Sequence, residues 1–418
     1  MLTVFVFVAA LVSPASPDSV IYPSLANRGM SDCRPAGLAT ASEPPASRAS
    51  ICRVRRSYTA DDLSKRLAAG RNVWRDGDEL TFAWKGAAEA VELIGGIGAP
   101  MAHLVGTELW VLTVRADSLD RAVVGYSFFP SSAGGATPAP PTVYWRGPRA
   151  PPDPPRSAVL HGRLVSDTIV SAALGARRSL TVYIPPQRGK TAIAGVIYMA
   201  DGQSLPEYAA ILDTLITMRR LPRLLVVGIH SDPGPIMPDP AKPGEYLPDA
   251  RSREYLPSVD SARFAAHERW MLDEVIPHAE RTYGAPGERN RRALFGFSNG
   301  ATFAAAMGLS HPDRFGAVIA LSPGGGAKAF AAIPRSTSRD RRALQTPRLY
   351  VSGGLYEPGF RTNARALAEL FRARGAQVTL REPAGGHDEV IWQLSLPSAL
   401  TWIFGSNGAG RQATRARE

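Results

Sequence analysis

The stretch Leu294-Phe295-Gly296-Phe297-Ser298-Asn299-Gly300 sets a serine at the centre of a G-x-S-x-G pattern. An apolar run precedes it and an Ala/Met-rich segment of helical character follows, which is the strand–turn–helix context of a nucleophile elbow. A serine hydroxyl is unreactive at its ordinary pKa, so it needs a base within hydrogen-bond reach and donors for the oxyanion formed on attack. A Cβ at Gly296 or Gly300 would crowd the neighbouring strand or helix, so both positions suit a strained turn. The same five residues also occur by chance as a plain strand–helix turn. The flanking elements favour the catalytic reading.

The chain has seven histidines, and only His387 follows the final predicted strand, in Gly385-Gly386-His387-Asp388. Two glycines allow a tight loop to project the ring, although a glycine-rich turn can also carry a merely exposed histidine. An acid is expected after the strand that ends near Ser352, and Glu357 in Gly353-Gly354-Leu355-Tyr356-Glu357-Pro358 fits. It would hold the Nδ1–H of His387 and stabilise the imidazolium. Glu357 could equally cap the helix that follows. Asp388 and Glu389 are weaker alternatives, because an adjacent residue rarely reaches back to its neighbour's ring. For the oxyanion, the backbone N–H of Asn299 is expected to act with one N–H from Asp201-Gly202-Gln203, either Gln203 or Gly202. No metal or organic cofactor is implied.

These groups need a scaffold that delivers loops from several strands to one edge. From Ser157 to Gly405, strands and helices alternate, the signature of an α/β sheet. Strands are predicted at Leu180–Ile184, Gly195–Met199, Leu224–Ile229, Ala317–Leu321, Arg348–Ser352 and Gln377–Leu380. Helices are predicted at Tyr208–Arg220, Phe264–Tyr283, Asn363–Arg372 and Pro397–Ile403. Residues Asp232–Asp249 read as an inserted Pro/Asp-rich loop, a candidate lid.

Upstream, residues 57–130 carry a short helix (Ala60–Ala69) and alternating segments around Leu80–Trp84, Val91–Leu93, Trp110–Val114 and Val124–Phe128. Such short strands with turn signals between them predict an immunoglobulin-like β-sandwich. Trp84 and Trp110 sit within alternating strands, so core packing is favoured over a sugar-stacking platform. Residues 131–157 are Pro-rich and read as a linker of restricted reach, with Trp145 either pinning the domains together or lining the active-site rim. Residues 1–56 read as a signal-like segment (Leu2–Val12) and flexible leader, and 406–418 as a disordered tail.

Formal net charge is +11, carried by 43 Arg and only five Lys scattered along the chain. General use of arginine in place of lysine accounts for this better than nucleic-acid binding, because no basic run is interleaved with aromatics. A positive surface would still favour anionic substrates. The apolar stretch Leu2–Val12 is too short to span a membrane, and it points to export into the periplasm or the medium. In an exported protein the two cysteines, Cys33 and Cys52, could close a small disulfide loop.

Taken together, MADGQ, the RSREY segment Arg251–Tyr255, GFSNG, LYEP and GGHDEVIW resemble the enterochelin-esterase and esterase-D-like group of α/β-hydrolases over residues 158–405. The upstream sandwich resembles the early-set domain that precedes it in enterochelin esterases. The resemblance implies Ser298 as nucleophile, His387 as base and Glu357 as acid, with Arg251 and Tyr255 close enough to contact substrate. An internal arginine–glutamate salt bridge within that segment is an equally good reading of it. The substrate class implied is a small-molecule ester, most directly of a siderophore, with carbohydrate or feruloyl esters as the rival. An acyltransferase and a non-catalytic binding protein on the same scaffold are further alternatives.

Overall fold

The computed structural model describes residues 19–25, 30–34, 50–131, 141–187, 189, 191–232, 234, 248–333 and 345–405. The segment Leu2–Val12 and the tail 406–418 lie outside them, as does most of the loop at 232–249. The chain divides into two compact units, residues 1–119 with 126–145, and residues 120–125 with 146–418.

The first unit is built on two sheets. One runs Val20–Ile21, Ala102–Leu104, Leu109–Ala116, Glu79–Lys85 and Val73–Asp76, with Ile51–Arg53 also pairing to Leu109–Ala116. The other joins Val143–Arg146, Val123–Ser131, Ala90–Gly95 and Ala99–Pro100. Phe82 of the first sheet meets Tyr126 of the second edge-to-face, with ring centroids 5.3 Å apart. Trp84 and Trp110 are cross-strand partners. Trp110 is buried and stacks on His103 at 4.4 Å, a packing role.

Two boundaries need correction. The expected leader contributes Val20–Ile21 and Ile51–Arg53 to the sheet, because Cys33 is disulfide-bonded to Cys52 and the Arg53 guanidinium, buried, donates to Asp32 at 2.6 Å. The expected linker carries the strand Val143–Arg146, and Trp145 lies on it within the first unit.

The second unit is organised by one eight-stranded sheet: β1 (Arg163–Ser171), β2 (Ala176–Ile184), β3 (Gly195–Ala200), β4 (Leu224–Ile229), β5 (Arg292–Phe297), β6 (Ala317–Leu321), β7 (Arg348–Ser352) and β8 (Val378–Arg381). Their order is β1-β2-β4-β3-β5-β6-β7-β8. β1, β2 and β4 pair antiparallel in turn, and β4 through β8 are parallel. The helices are α1 (Leu205–Thr217), α2 (Ala250–Tyr255), α3 (Ser261–Arg269), α4 (Ile276–Tyr283), α5 (Asn299–Ser310), α6 (Gly326–Ala331), α7 (Pro358–Arg372) and α8 (Glu389–Phe404). The central strands are buried on both faces, so they read as continuous apolar runs. Alternate residues feed opposite cores: Leu294 packs with Phe303 of α5, while Phe295 packs against Tyr208 of α1.

The helix expected over Phe264–Tyr283 is one rod, but its middle, Trp270–Val275, widens to a π-helix. Pro277 explains this, because its ring has no N–H and would collide with a carbonyl one turn back. The closing helix starts at Glu389 rather than Pro397. Burial of Trp392, Leu396 and Leu400 against the sheet holds it across the proline. β1 escapes the apolar pattern because it is an edge strand with one largely exposed row.

The disulfide spans a separation of 19 residues, for which loop-closure entropy gives about 3 kcal/mol. The Cys33→Ser/Cys52→Ser double variant is therefore expected to lose about that much unfolding free energy in its first unit, read as a lower midpoint in chemical denaturation under non-reducing conditions.

Candidate active site

β5 ends at Phe297 and α5 starts at Asn299, leaving Ser298 alone to make the turn, at φ 55° and ψ −130°. Few non-glycine residues adopt a positive φ, and the strain costs on the order of 1–3 kcal/mol. What tolerates it is close packing on either side, against backbone at Gly296 and against the Asp201 carboxylate at Gly300. A Cβ on Gly296 would lie 2.1 Å from the Gly300 carbonyl oxygen, and one on Gly300 would lie 2.8 Å from Asp201 Oδ2. The Ser298 N–H donates to the Leu321 carbonyl at 2.9 Å, and its own carbonyl accepts from the Gly324 N–H at 3.0 Å. The strained residue is thus pinned on both sides to β6 and its loop.

His387 presents Nε2 3.1 Å from Ser298 Oγ, and its Nδ1 lies 2.7 Å from Glu357 Oε2. The structure therefore brings the expected serine, histidine and glutamate into one chain of contacts. Glu357 stands at the N-cap position of α7, yet its carboxylate makes no capping bond. Its second oxygen, Oε1, instead accepts from Ser322 Oγ at 2.5 Å and from the Gly354 N–H at 2.5 Å. Asp388, the alternative acid, caps α8 by accepting the Ile391 N–H at 3.1 Å. Glu389 is the first residue of that helix.

Three residues around this chain were not foreseen. Phe360 stacks on the His387 imidazole with centroids 3.8 Å apart, and Trp392 meets its edge at 5.0 Å. Trp392 Nε1–H in turn donates to Ser322 Oγ at 2.9 Å, which fixes the hydroxyl as donor to Glu357. Ser322 follows β6 with φ 50°, a second strained serine after a parallel strand. Strand-end position was the available signal for Ser322. Nothing in the local pattern of Phe360 distinguishes it from a helix-face aromatic.

The residues expected as oxyanion donors lie at helix starts after two neighbouring strands, β5 and β3. Asn299 is the first residue of α5, and Gly202 and Gln203 lie in the single 3₁₀ turn before α1. Amides at helix starts have no intrahelical acceptor and are available to a ligand. Gly202 is required there, since a Cβ would fall 2.1 Å from the Gly228 backbone of β4. Asp201, in the left-handed region at φ 56°, shapes the loop. Arg251 grips its carboxylate bidentately, Nε to Oδ1 at 2.6 Å and Nη2 to Oδ2 at 2.7 Å. Tyr255 Oη accepts the Asp201 N–H at 2.9 Å.

The expectation that Tyr255 contacts substrate is thereby corrected: it is fully buried and its hydroxyl is committed to backbone. Arg251 is likewise engaged as a strut, with its guanidinium 5.2 Å over the Tyr255 ring. Nor is there an arginine–glutamate pair inside the segment. Glu254 is buried and bound by Arg178 at 2.6 Å and Arg263 at 2.8 Å. Burial by itself would raise the Glu254 carboxyl, but His267 and Arg178 together hold it well below the usual range.

The sheet order, the elbow after β5, and the acid and histidine loops after β7 and β8 define an α/β-hydrolase. Residues 171–403, more than half of the chain, match the family model described as "Putative esterase". The protein belongs to that esterase family. The curated iron(III) enterobactin esterase of Dickeya dadantii (strain 3937) is 24% identical over 379 residues, covering 83% of this chain and 80% of that protein. The uncharacterized protein YjcH of Bacillus subtilis (strain 168) is 25% identical over 166 residues, 39% of this chain. The match spans 62% of that relative, less than two thirds of its length. The crystal structure of the enterobactin esterase from Shigella flexneri in the presence of enterobactin matches with TM-score 0.56 at 18% identity. It covers 79% of this chain and 94% of that one, a likeness of fold.

Replacing Ser322 by Ala removes a hydrogen bond to a buried carboxylate, a loss of about 1.5–3 kcal/mol. Esterase kcat is expected to fall about tenfold or more with KM little changed, read in steady-state kinetics. Arg251→Ala leaves the buried Asp201 carboxylate unpaired. It is expected to cost about 3 kcal/mol of stability in urea unfolding.

Proposed function

We propose that this esterase works through an acyl-enzyme, with Ser298 as nucleophile, His387 as general base and Glu357 as the acid that orients it. The observation that carries this is the unbroken contact chain from Ser298 Oγ through both ring nitrogens of His387 to Glu357. A carboxylate at Nδ1 keeps the proton on that nitrogen, so Nε2 faces the serine with its lone pair. As Ser298 attacks the ester carbonyl, Nε2 takes the hydroxyl proton. The oxyanion is received by the N–H of Asn299 and that of Gln203 or Gly202. The tetrahedral intermediate collapses, and the alcohol leaves with the proton from Nε2. Water then attacks the acyl carbon as it gives a proton to Nε2, and the C–Oγ bond breaks with that proton passing to Ser298 Oγ, which releases the acid and restores the serine.

For the substrate we infer an ester of a catecholate siderophore of the enterobactin type. Support comes from the relative of that activity, which aligns with 83% of the chain, sandwich included. The net charge of +11 suits an anionic ligand. The operating compartment we infer is the periplasm or the medium, on the strength of the Cys33–Cys52 disulfide, a bond that reducing compartments do not maintain. Among the described residues, no helix is long and apolar enough to cross a membrane.

The test pairs a short p-nitrophenyl ester with ferric enterobactin, using wild type and Ser298→Ala. Loss of about four orders of magnitude in kcat in the variant is expected on both substrates. Equal activity in the two proteins would remove Ser298 from the mechanism. Turnover of a feruloylated sugar in place of enterobactin would overturn the siderophore assignment, and an ester product in the presence of an alcohol would mark an acyltransferase.

A further inference from the structure

The loop that carries His387 is held by a part of the chain far from it in sequence. Residues 120–125 belong to the second unit, although the strand Val123–Ser131, which starts within them, continues from Tyr126 in the first. The Val123 N–H donates to the Ala384 carbonyl at 3.0 Å, and the Gly125 N–H donates to Asp388 Oδ2 at 3.0 Å. Val123 packs with Val390 and Ile391 in a small apolar cluster. Gly385 has to be glycine here, because a Cβ would fall 2.1 Å from Ile391 and 2.9 Å from the Val123 carbonyl. Residues 120–125 are themselves fastened from the other side. The Gly147 N–H donates to the Ala122 carbonyl at 2.9 Å, and Arg149 Nε donates to Asp120 at 2.7 Å.

On its opposite flank the histidine loop is bonded to the loop of the acid. The Leu355 N–H donates to the Pro383 carbonyl at 2.9 Å, and the Tyr356 N–H donates to that of Gly385 at 2.9 Å. The segment 383–388 is therefore held between the Glu357 loop and residues 120–125. Asp388 is the joint: one oxygen caps α8 and the other binds Gly125.

We propose that Asp388 and the segment Asp120–Gly125 form a clamp that positions His387 between Ser298 and Glu357. Asp388 is a positioning residue, since it acts through the backbone of its own loop. The inference rests on the role given to His387 above. Burial pushes the Asp388 carboxyl up to about 6, with the nearby Glu357 charge adding to it and the Ile391 and Gly125 amides opposing it. Keeping a carboxylate in such a place costs free energy. A serine or asparagine would cap α8 at lower cost, so the second oxygen has a further use. Binding Gly125 is that use.

The experiment compares the full-length protein with Asp388→Asn and Asp388→Ser. Both variants retain an oxygen to cap α8 and lose the acceptor for Gly125. The first readout is the far-downfield proton resonance of the His387 Nδ1–H, which needs no turnover. It is expected to broaden or vanish in both variants. The second is steady-state hydrolysis of a short p-nitrophenyl ester, with Ser298→Ala as the reference for serine-dependent turnover. There kcat is expected to fall about tenfold to a hundredfold, as a small misplacement of a catalytic group costs, while KM stays within about twofold. An unchanged resonance with unchanged kcat would overturn the clamp. So would a loss of thermal stability with the resonance intact, because Asp388 would then be a helix cap alone. If activity proves independent of Ser298, the esterase mechanism fails, and an unperturbed resonance would still reject the clamp on its own.

Discussion

The contact between the backbone of Gly296 and the carbonyl of Gly300, closer than any side chain would permit, is the constraint on which the site depends. It brings the end of β5 against the start of α5 and forces the single intervening residue to a positive φ. The serine hydroxyl is thereby pushed out at the carboxyl edge of the sheet, with the first amides of α5 behind it. A second backbone contact, Gly202 on Gly228, seats the neighbouring loop at the same edge. Both are contacts between main chains, so their tolerance is set by the absence of a Cβ. Strain at Ser298, Ser322 and Asp201 marks three places where the chain turns sharply just beyond a strand of the eight-stranded sheet. Such outliers persist only where surrounding structure holds them, and here hydrogen bonds from adjacent strands and loops do so.

Buried charge forms the next layer. Glu357 is satisfied at both oxygens, by His387 on one side and by Ser322 and Gly354 on the other. Asp201 is held by Arg251, and Glu254 by Arg178 and Arg263. An unpaired carboxylate in any of these places would be expensive, and removal of one partner strands the other. Several arginines of this basic chain are therefore struts beneath the loops rather than ligands for substrate. Arginine suits that use, because its planar fork matches a carboxylate at two points. The excess positive charge has a structural share that composition alone does not reveal.

The readable part of the site was the part carried by local pattern. Gly296-x-Ser298-x-Gly300 between a strand and a helix pointed to Ser298 as the candidate nucleophile, and chain order narrowed the histidine to His387. Glu357 was readable from its place after β7, although only the folded structure separates it from helix capping. The struts were not readable in the same way. Tyr255 and Arg251 lie in a polar motif, and polar residues in a motif invite a substrate role. Their partners, the N–H and carboxylate of Asp201, are about 50 residues away. The parts played by Ser322, Phe360 and Trp392 were hidden for the same reason, since each matters through a contact across the sheet or between helices, although the strand-end position of Ser322 was a signal. The strands at Val20–Ile21 and Ile51–Arg53 are too short for periodicity to register and exist because a disulfide and a buried Arg53–Asp32 pair hold them.

By itself, then, the sequence determined the alternation of strands and helices, the two-sided burial of the central sheet, and the placing of Ser298, Glu357 and His387, in that chain order, each after a strand. Those follow from hydrophobic period, glycine placement and turn chemistry, all of which act within a few residues. Only the tertiary structure decided where the units divide and what holds the histidine loop. Residues 120–125 join the hydrolase unit through backbone N–H groups that donate to the Ala384 carbonyl and the Asp388 carboxylate, more than two hundred residues on. A backbone N–H has no identity in the sequence. Its partner is chosen by the approach of the folded chain, and no pattern of side chains announces it.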